Sequence, residues 1–205
     1  MEKPRIEISK PRRFGLIGVL ETHAMSFLLG IPLLIALAIV STKDLGLLNL
    51  LIPIAALVGV VYILPFFGNA HISRIVRAVR PENLPPDKLW TVQVTLCPRI
   101  RKGLRALIED ADDVGYLALG DSALIFRGDS MQMTIPFDRI AAVHGENVGL
   151  RGLYVTAGRI TLDVSGLDGF ESLEIAERSS RVIFSSRKIT RQMFAQLKKK
   201  LPARD

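Results

Sequence analysis

Two long apolar runs dominate the first third of the chain. Neither run, Ala24 to Val40 or Leu45 to Phe67, contains a charged residue, and only Ser41 to Asp44 separates them. At a rise of about 1.5 Å per residue, a helix over either run reaches across a hydrocarbon core of about 30 Å, the first only just. The pattern predicts a two-helix transmembrane hairpin, with helices at 24–40 and 45–67. Two helices buried in a large soluble core are the alternative, which the near absence of charge disfavours.

The pattern changes at Trp90 to short segments in which apolar and polar residues alternate. Period-two alternation is typical of half-buried strands, and the Gly, Asp and Ser residues between several segments suit tight turns. We therefore expect a meander of antiparallel strands. The predicted strands cover 91–97, 115–119, 123–126, 131–135, 140–143, 153–157, 160–164 and 172–176.

The end of the chain has helical spacing instead. Ser186 is a suitable N-cap, and the lysines at 198–200 meet the negative end of the helix dipole. A second, shorter helix is predicted over 98–110, since a proline at 98 suits a first helical turn. The apolar face of the C-terminal helix, which we expect to be buried against the sheets, consists of Ile189, Met193, Phe194, Leu197 and Leu201.

An amphipathic helix is predicted directly after the second apolar run. Its apolar positions are Ile72, Ile75, Val76 and Val79, and its basic positions are Arg74, Arg77 and Arg80. Such a helix is typical of the cytoplasmic membrane interface, with arginines among anionic headgroups. The alternative is that these arginines only set the topology. Prolines at 81, 85 and 86 then form a stiff linker, which places a domain boundary near Lys88.

Charge sets the predicted orientation. The chain carries a net charge of +7 with 49% hydrophobic residues, a combination that suits a membrane segment joined to a soluble domain. Basic residues flank both ends of the hairpin, so we expect an inner-membrane protein with both termini cytoplasmic. The predicted parts are a basic N-terminal segment (1–23), the hairpin (24–67), the connector (68–88) and a cytoplasmic domain (89–205).

The cytoplasmic half resembles the pleckstrin-homology-like (PH-like) fold. The stretch from Gly115 to Val143, GYLALGDSALIFRGDSMQMTIPFDRIAAV, is similar to the pattern of bacterial PH-like and GRAM-type domains. The resemblance covers roughly Leu89 to Leu201 and rests on pattern. It implies a mainly-β, α+β domain in which antiparallel sheets are capped by a C-terminal helix. Membrane-anchored bacterial proteins with such domains are mostly uncharacterised.

No stretch of the sequence predicts catalysis. Acidic residues cluster at 109–113 without the spacing of a calcium loop, and no motif joins His144 to a nucleophile. Cys97 is expected to be a small core residue, because no second cysteine exists to pair with it. We therefore expect neither an enzyme nor a cofactor or metal, and the dispersed basic surplus of the cytoplasmic half does not indicate nucleic acid.

The leading hypothesis is a non-enzymatic membrane protein whose PH-like domain serves as an interaction or scaffold element. Binding of anionic lipid headgroups is the alternative, and a role as accessory subunit of a membrane enzyme or transporter is a second one. The basic residues at 187–191 and 198–200 are interpreted first as a solvated helix face, and contact with acidic lipid or protein is the alternative. The candidate binding residues are Arg74, Arg77, Arg80, Arg99, Arg101, Lys102, Arg105 and Arg127.

The tetrapeptide Arg127 to Ser130 spells an RGD integrin motif, and its Gly-Asp-Ser also occurs at 120–122. An integrin ligand must lie outside a cell, which the predicted topology excludes. We interpret the two copies as the turns at either end of one short strand, with each glycine at positive φ and the Asp or Ser bonded back to the chain.

Overall fold

The computed structural model describes residues 3–41, 51–54, 64–82, 89–100, 111–148, 157–167, 169–180 and 183–201. Among these lie the α-helices α1 (Leu16–Ser41), α2 (Leu64–Arg77) and α3 (Ile183–Lys200) and a 3-10 helix (Phe137–Arg139), and residues 51–54 are also helical. The strands are β1 (Arg5–Ile8), β2 (Leu89–Cys97), β3 (Asp113–Leu119), β4 (Ala123–Gly128), β5 (Met131–Pro136), β6 (Ile140–Val148), β7 (Ala157–Val164) and β8 (Ser172–Glu177).

The strands form one antiparallel sheet in the order β1-β5-β4-β3-β2-β8-β7-β6. Consecutive strands pair from β2 to β5 and from β6 to β8, as the predicted meander requires. Two pairings join distant parts of the chain, β2 with β8 and β1 with β5. The predicted strands are confirmed at all positions except 153–157, most of which lies outside the described residues.

The main core lies on one face of the sheet. Period-two alternation turns side chains such as Leu117, Phe126 and Leu162 to this face, where they are fully buried. Met193 and Leu197 of α3 complete the core, and Phe194 and Leu201 pack against it, which confirms the predicted apolar face of the C-terminal helix except at the half-buried Ile189. Ser186 is not its N-cap, because α3 begins three residues earlier and Ser186 is buried within it.

A second, smaller core lies on the opposite face, where α1 and α2 pack against β3. Ile72, Ile75 and Val76 of α2 are buried there together with Val19 of α1 and Val114 of β3. The predicted amphipathic helix is therefore present over 64–77, but its apolar face contacts this chain's own sheet and α1 instead of a bilayer.

The predicted transmembrane hairpin is wrong. Within the part of the chain that the structure describes, no helix combines the length and apolarity needed to cross a bilayer. The early turns of α1 belong to the second core, and Glu21 Oε2 lies 3.1 Å from His71 Nε2 of α2. The second predicted helix lies mostly outside the described residues, and its last residues, 64–67, begin the 14-residue α2, about 21 Å long.

The membrane assignment fails with the hairpin. The predicted inner-membrane location with both termini cytoplasmic rested on two spans that the described helices do not provide. A smaller prediction also fails. Cys97 is exposed at the end of β2 instead of buried in the core. Residues 98–100 are not helical, and the rest of the helix predicted over 98–110 lies outside the described residues.

Candidate functional site

A cleft separates α3 from the end of the sheet formed by β6 and β7. The two layers approach closely at Gly158, where an added Cβ would lie 2.9 Å from Thr190 Cγ2 of α3. At Gly145 of β6 the fit is looser, because an added Cβ would lie 3.5 Å from the Phe194 ring. The glycines thus let the helix pack close to the strands while a space remains beside Phe194.

This space is a cavity of about 180 Å³. Three arginines line it. Arg159 belongs to β7, whereas Arg187 and Arg191 lie on successive turns of α3. No acidic side chain is among the described residues that line the cavity. Its lining therefore carries three formal positive charges and no negative one.

The three arginines differ in how exposed their side chains are. Arg159 Nη1 donates to Glu174 Oε2 of β8 at 2.7 Å, and the Arg159 side chain is only 17% exposed. Arg187 is half-buried and Arg191 is exposed. The wall of the cavity on the sheet is therefore less exposed than the wall on the helix.

A second depression of about 500 Å³ continues the cavity along α3 and shares Arg187 and Arg191 with it. Lys188 adds a further positive charge, and Phe184 is 75% exposed. These residues recur at helical spacing of three, four and seven, which puts them on one side of α3. We call Phe184, Arg187, Lys188 and Arg191 the α3 basic face.

A contrasting polar site lies at the turn between β4 and β5. Asp129 Oδ2 accepts hydrogen bonds from the backbone N–H groups of Arg13, at 2.7 Å, and Phe14, at 2.6 Å. The backbone N–H and the hydroxyl of Ser9 both donate to the Ser130 carbonyl oxygen. We call Asp129 with these N-terminal partners the Asp129 latch, because it fixes the chain between β1 and α1 to the sheet.

Asp113 of β3 also binds the backbone of this turn. Its Oδ2 accepts hydrogen bonds from the backbone N–H groups of Ser130, at 2.9 Å, and Met131, at 2.7 Å. The side chain is fully buried, and burial raises the pKa of this carboxyl to about 6 although the backbone hydrogen bonds oppose the shift. An added Cβ at Gly128 would lie 2.1 Å from Asp113 Oδ2, so the turn needs glycine there.

The RGD tetrapeptide is thus accounted for by structural contacts. The prediction that the two Gly-Asp-Ser copies bracket one strand is confirmed by β4. The predicted positive φ is wrong for both copies, since among the described glycines that conformation occurs at Gly166 and Gly169. Gly128 is needed for space, and Asp129 bonds to the N-terminal segment instead of to its own turn.

The structure does not gather the predicted binding residues into one site. Arg74 and Arg77 are exposed near the end of α2, and Arg80 is exposed just beyond it. Arg99 is exposed in the turn after β2, and Arg127 of β4 donates to Gln132 of β5 at 2.5 Å. The remaining candidates, Arg101, Lys102 and Arg105, lie outside the described residues.

The sequence shows the basic residues at 187–191 but not the cavity that Arg187 and Arg191 line. The partner, Arg159, is distant in sequence, and only the folded sheet brings it to α3. The one local signal is Gly158 directly before Arg159, because glycine within a strand often marks a close approach of another element.

The described residues contain no group of three or more His, Cys, Asp or Glu side chains placed to hold a metal ion. Neither a protein-family model nor a curated protein matches the chain. The PH-like resemblance therefore stays a prediction.

Proposed function

We propose that this chain is a non-enzymatic interaction module that docks an acidic segment of a partner protein on the α3 basic face. The observation that carries the proposal is the juxtaposition of the exposed Phe184 with three cationic side chains and no acidic residue among the described residues of that surface. Interfaces are enriched in aromatic residues and arginine, the types found here.

The electrostatics of α3 favour an acidic partner. Arg187 and Arg191 stand four residues apart on the helix, where like charges destabilise it by about 0.2–0.5 kcal/mol. Carboxylates bound across both guanidinium groups would remove that repulsion and form charge-assisted, bidentate hydrogen bonds. Phe184 would add apolar contact with the aliphatic parts of the partner.

Binding of anionic lipid headgroups is the second candidate function. An exposed aromatic ring beside arginines and a lysine on one helix face is also typical of helices that lie on anionic lipid surfaces. The two candidates separate experimentally, because a soluble acidic peptide contains no bilayer.

The experiment measures binding of the full chain to a labelled peptide rich in Asp and Glu by fluorescence anisotropy at low salt. The matched peptide with Asn and Gln in place of the acids should bind at least about tenfold more weakly, because each charge-assisted hydrogen bond contributes about 1.5–3 kcal/mol. The R187Q/R191Q variant should weaken binding of the acidic peptide by at least about tenfold.

The matched control is R74Q/R77Q, which removes the same charge from exposed arginines on α2. It should change the affinity by less than about twofold, since exposed and distant charges are screened. Equal losses in both variants would mean a general charge effect and would contradict the proposal. Binding to anionic vesicles without binding to the acidic peptide would select the lipid candidate.

A further inference from the structure

The cavity between α3 and the sheet is distinct in shape from the open basic face beside it. Its volume of about 180 Å³ is several times the roughly 30 Å³ that one water molecule occupies in the liquid. Gly145 and Phe194 line it on one side, and the space beside Gly145 is open enough that a Cβ there would make ordinary contact with the ring. A small polyatomic anion therefore fits inside.

The charge of the lining indicates which class of anion the cavity favours. Guanidinium groups from β7 and from two turns of α3 line one small space. The ion pair of Arg159 with Glu174 offsets one of their three formal positive charges, which leaves two. Planar arginine forks match phosphate oxygens in paired hydrogen bonds. A phosphate monoester carries a charge of about −1.5 to −2 at pH 7, closer to this lining than a carboxylate or a diester with a single charge.

We propose that the cavity binds a soluble phosphate monoester. The phosphoryl group is held between Arg159 on the sheet side and Arg187 and Arg191 on the helix side. The organic part of the ester extends into the open depression along α3. Arg159 is already oriented by Glu174, so the wall on the sheet needs little rearrangement on binding.

Occupation of the cavity would regulate the basic face. Arg187 and Arg191 line both spaces, so a bound phosphoryl group neutralises charges that an acidic segment needs. The monoester therefore weakens docking of the segment, and the segment weakens binding of the monoester by the same factor. This coupling rests on the proposed function, whereas binding of the monoester does not.

The first experiment titrates the full chain with glycerol 3-phosphate by calorimetry in phosphate-free buffer, without any peptide. Dimethyl phosphate, a diester with one charge, is the matched ligand and should bind at least about tenfold more weakly. Because the second pKa of a phosphate monoester is about 6, its affinity should rise by about tenfold from pH 5 to pH 7. Equal affinities for monoester and diester would overturn the proposal.

The second experiment fills the cavity without changing its charge. Gly145→Val places a branched side chain toward Phe194 and should lower the affinity for glycerol 3-phosphate by at least about tenfold. Ala141→Val is the matched control, because Ala141 is exposed on the same strand and is not among the residues lining the cavity. Unchanged thermal midpoints show that both variants fold. Full affinity in Gly145→Val would place the ligand elsewhere and overturn the proposal.

Two further outcomes separate this inference from the proposed function. Binding of the acidic peptide without binding of glycerol 3-phosphate overturns the inference and leaves the proposed function standing. Binding of glycerol 3-phosphate without binding of the acidic peptide overturns the proposed function and leaves the inference standing. Binding to vesicles that contain phosphatidic acid, with no binding of free glycerol 3-phosphate, would identify a lipid headgroup as the source of the phosphoryl group and also overturn the inference.

Discussion

The Asp129 latch and the α3 cavity differ in how their charged groups are compensated. Asp113 and Asp129 are buried, and both accept hydrogen bonds from backbone N–H groups of their own chain. The cavity gathers Arg159, Arg187 and Arg191 around a space without an acidic residue among its described lining. The buried carboxylates bind N–H groups of their own chain and so connect separate segments of the fold, whereas like charges around an open space favour an anionic ligand.

The largest expected effect is at the latch. Asp129→Ala leaves the N–H groups of Arg13 and Phe14 without their acceptor and should lower the free energy of unfolding by about 3 kcal/mol. Chemical denaturation measures the loss, and hydrogen exchange should show faster exchange in residues 5–19. Asp121→Ala, in the other Gly-Asp-Ser copy, is exposed and should cost less than about 0.5 kcal/mol. Equal costs would show that Asp129 is an ordinary turn residue.

An effect of similar size is expected from pH. Asp113 has a pKa near 6 in the folded chain and 3.8 in the unfolded chain, so between these values the folded state holds the proton more often. Stability therefore falls as pH rises from about 4 to about 6, by up to about 3 kcal/mol, and is then level. Asp113→Asn should remove this slope in denaturation curves measured across the range. The same slope in that variant would assign it to another group.

The turn itself provides a smaller test of the latch. Gly128→Ala puts a Cβ against the buried Asp113 carboxylate, which its two backbone hydrogen bonds hold in place, and should cost about 2 kcal/mol. Gly145→Ala, at the cavity, adds a Cβ at ordinary contact distance and should change stability by less than about 0.5 kcal/mol. Thermal or chemical denaturation of the two variants compares the packing of the two regions directly.

The smallest effect is expected at the sheet wall of the cavity. Glu174→Gln removes the partly exposed ion pair with Arg159 and should lower stability by only about 0.5 kcal/mol. The same change removes a negative charge near the cavity, so affinity for a phosphate monoester should rise slightly or stay level in calorimetry. A large loss of affinity would mean that orientation of Arg159 by Glu174 matters more than net charge.

Local patterns predicted most of the sheet and the apolar face of α3, because alternation and helical spacing are properties of neighbouring residues. They also predicted the amphipathic α2. They did not reveal what Ile72, Ile75 and Val76 would contact, since hydropathy reports transfer out of water and not the identity of the apolar surroundings. The buried partner turned out to be β3 and α1.

The candidate sites depend on pairings between distant residues, which no local pattern contains. Asp129 meets Phe14, and Arg159 meets α3, only after the sheet has formed. The strand β1 was missed for a related reason. Its alternation of charged and apolar residues spans four positions, too few to separate a strand from a basic N-terminal segment.

The pairing of β1 with β5 also bears on the order in which the chain folds. Arg5 pairs with Thr134, so β1 is synthesised well before β5 and has no place in the sheet until β5 has followed. Contacts between such distant residues form late, because closing a long loop costs entropy before the contact is made. We expect the β3–β4–β5 meander to form first. The segment that contains β1 should dock last, when Asp129 accepts its hydrogen bonds from Arg13 and Phe14.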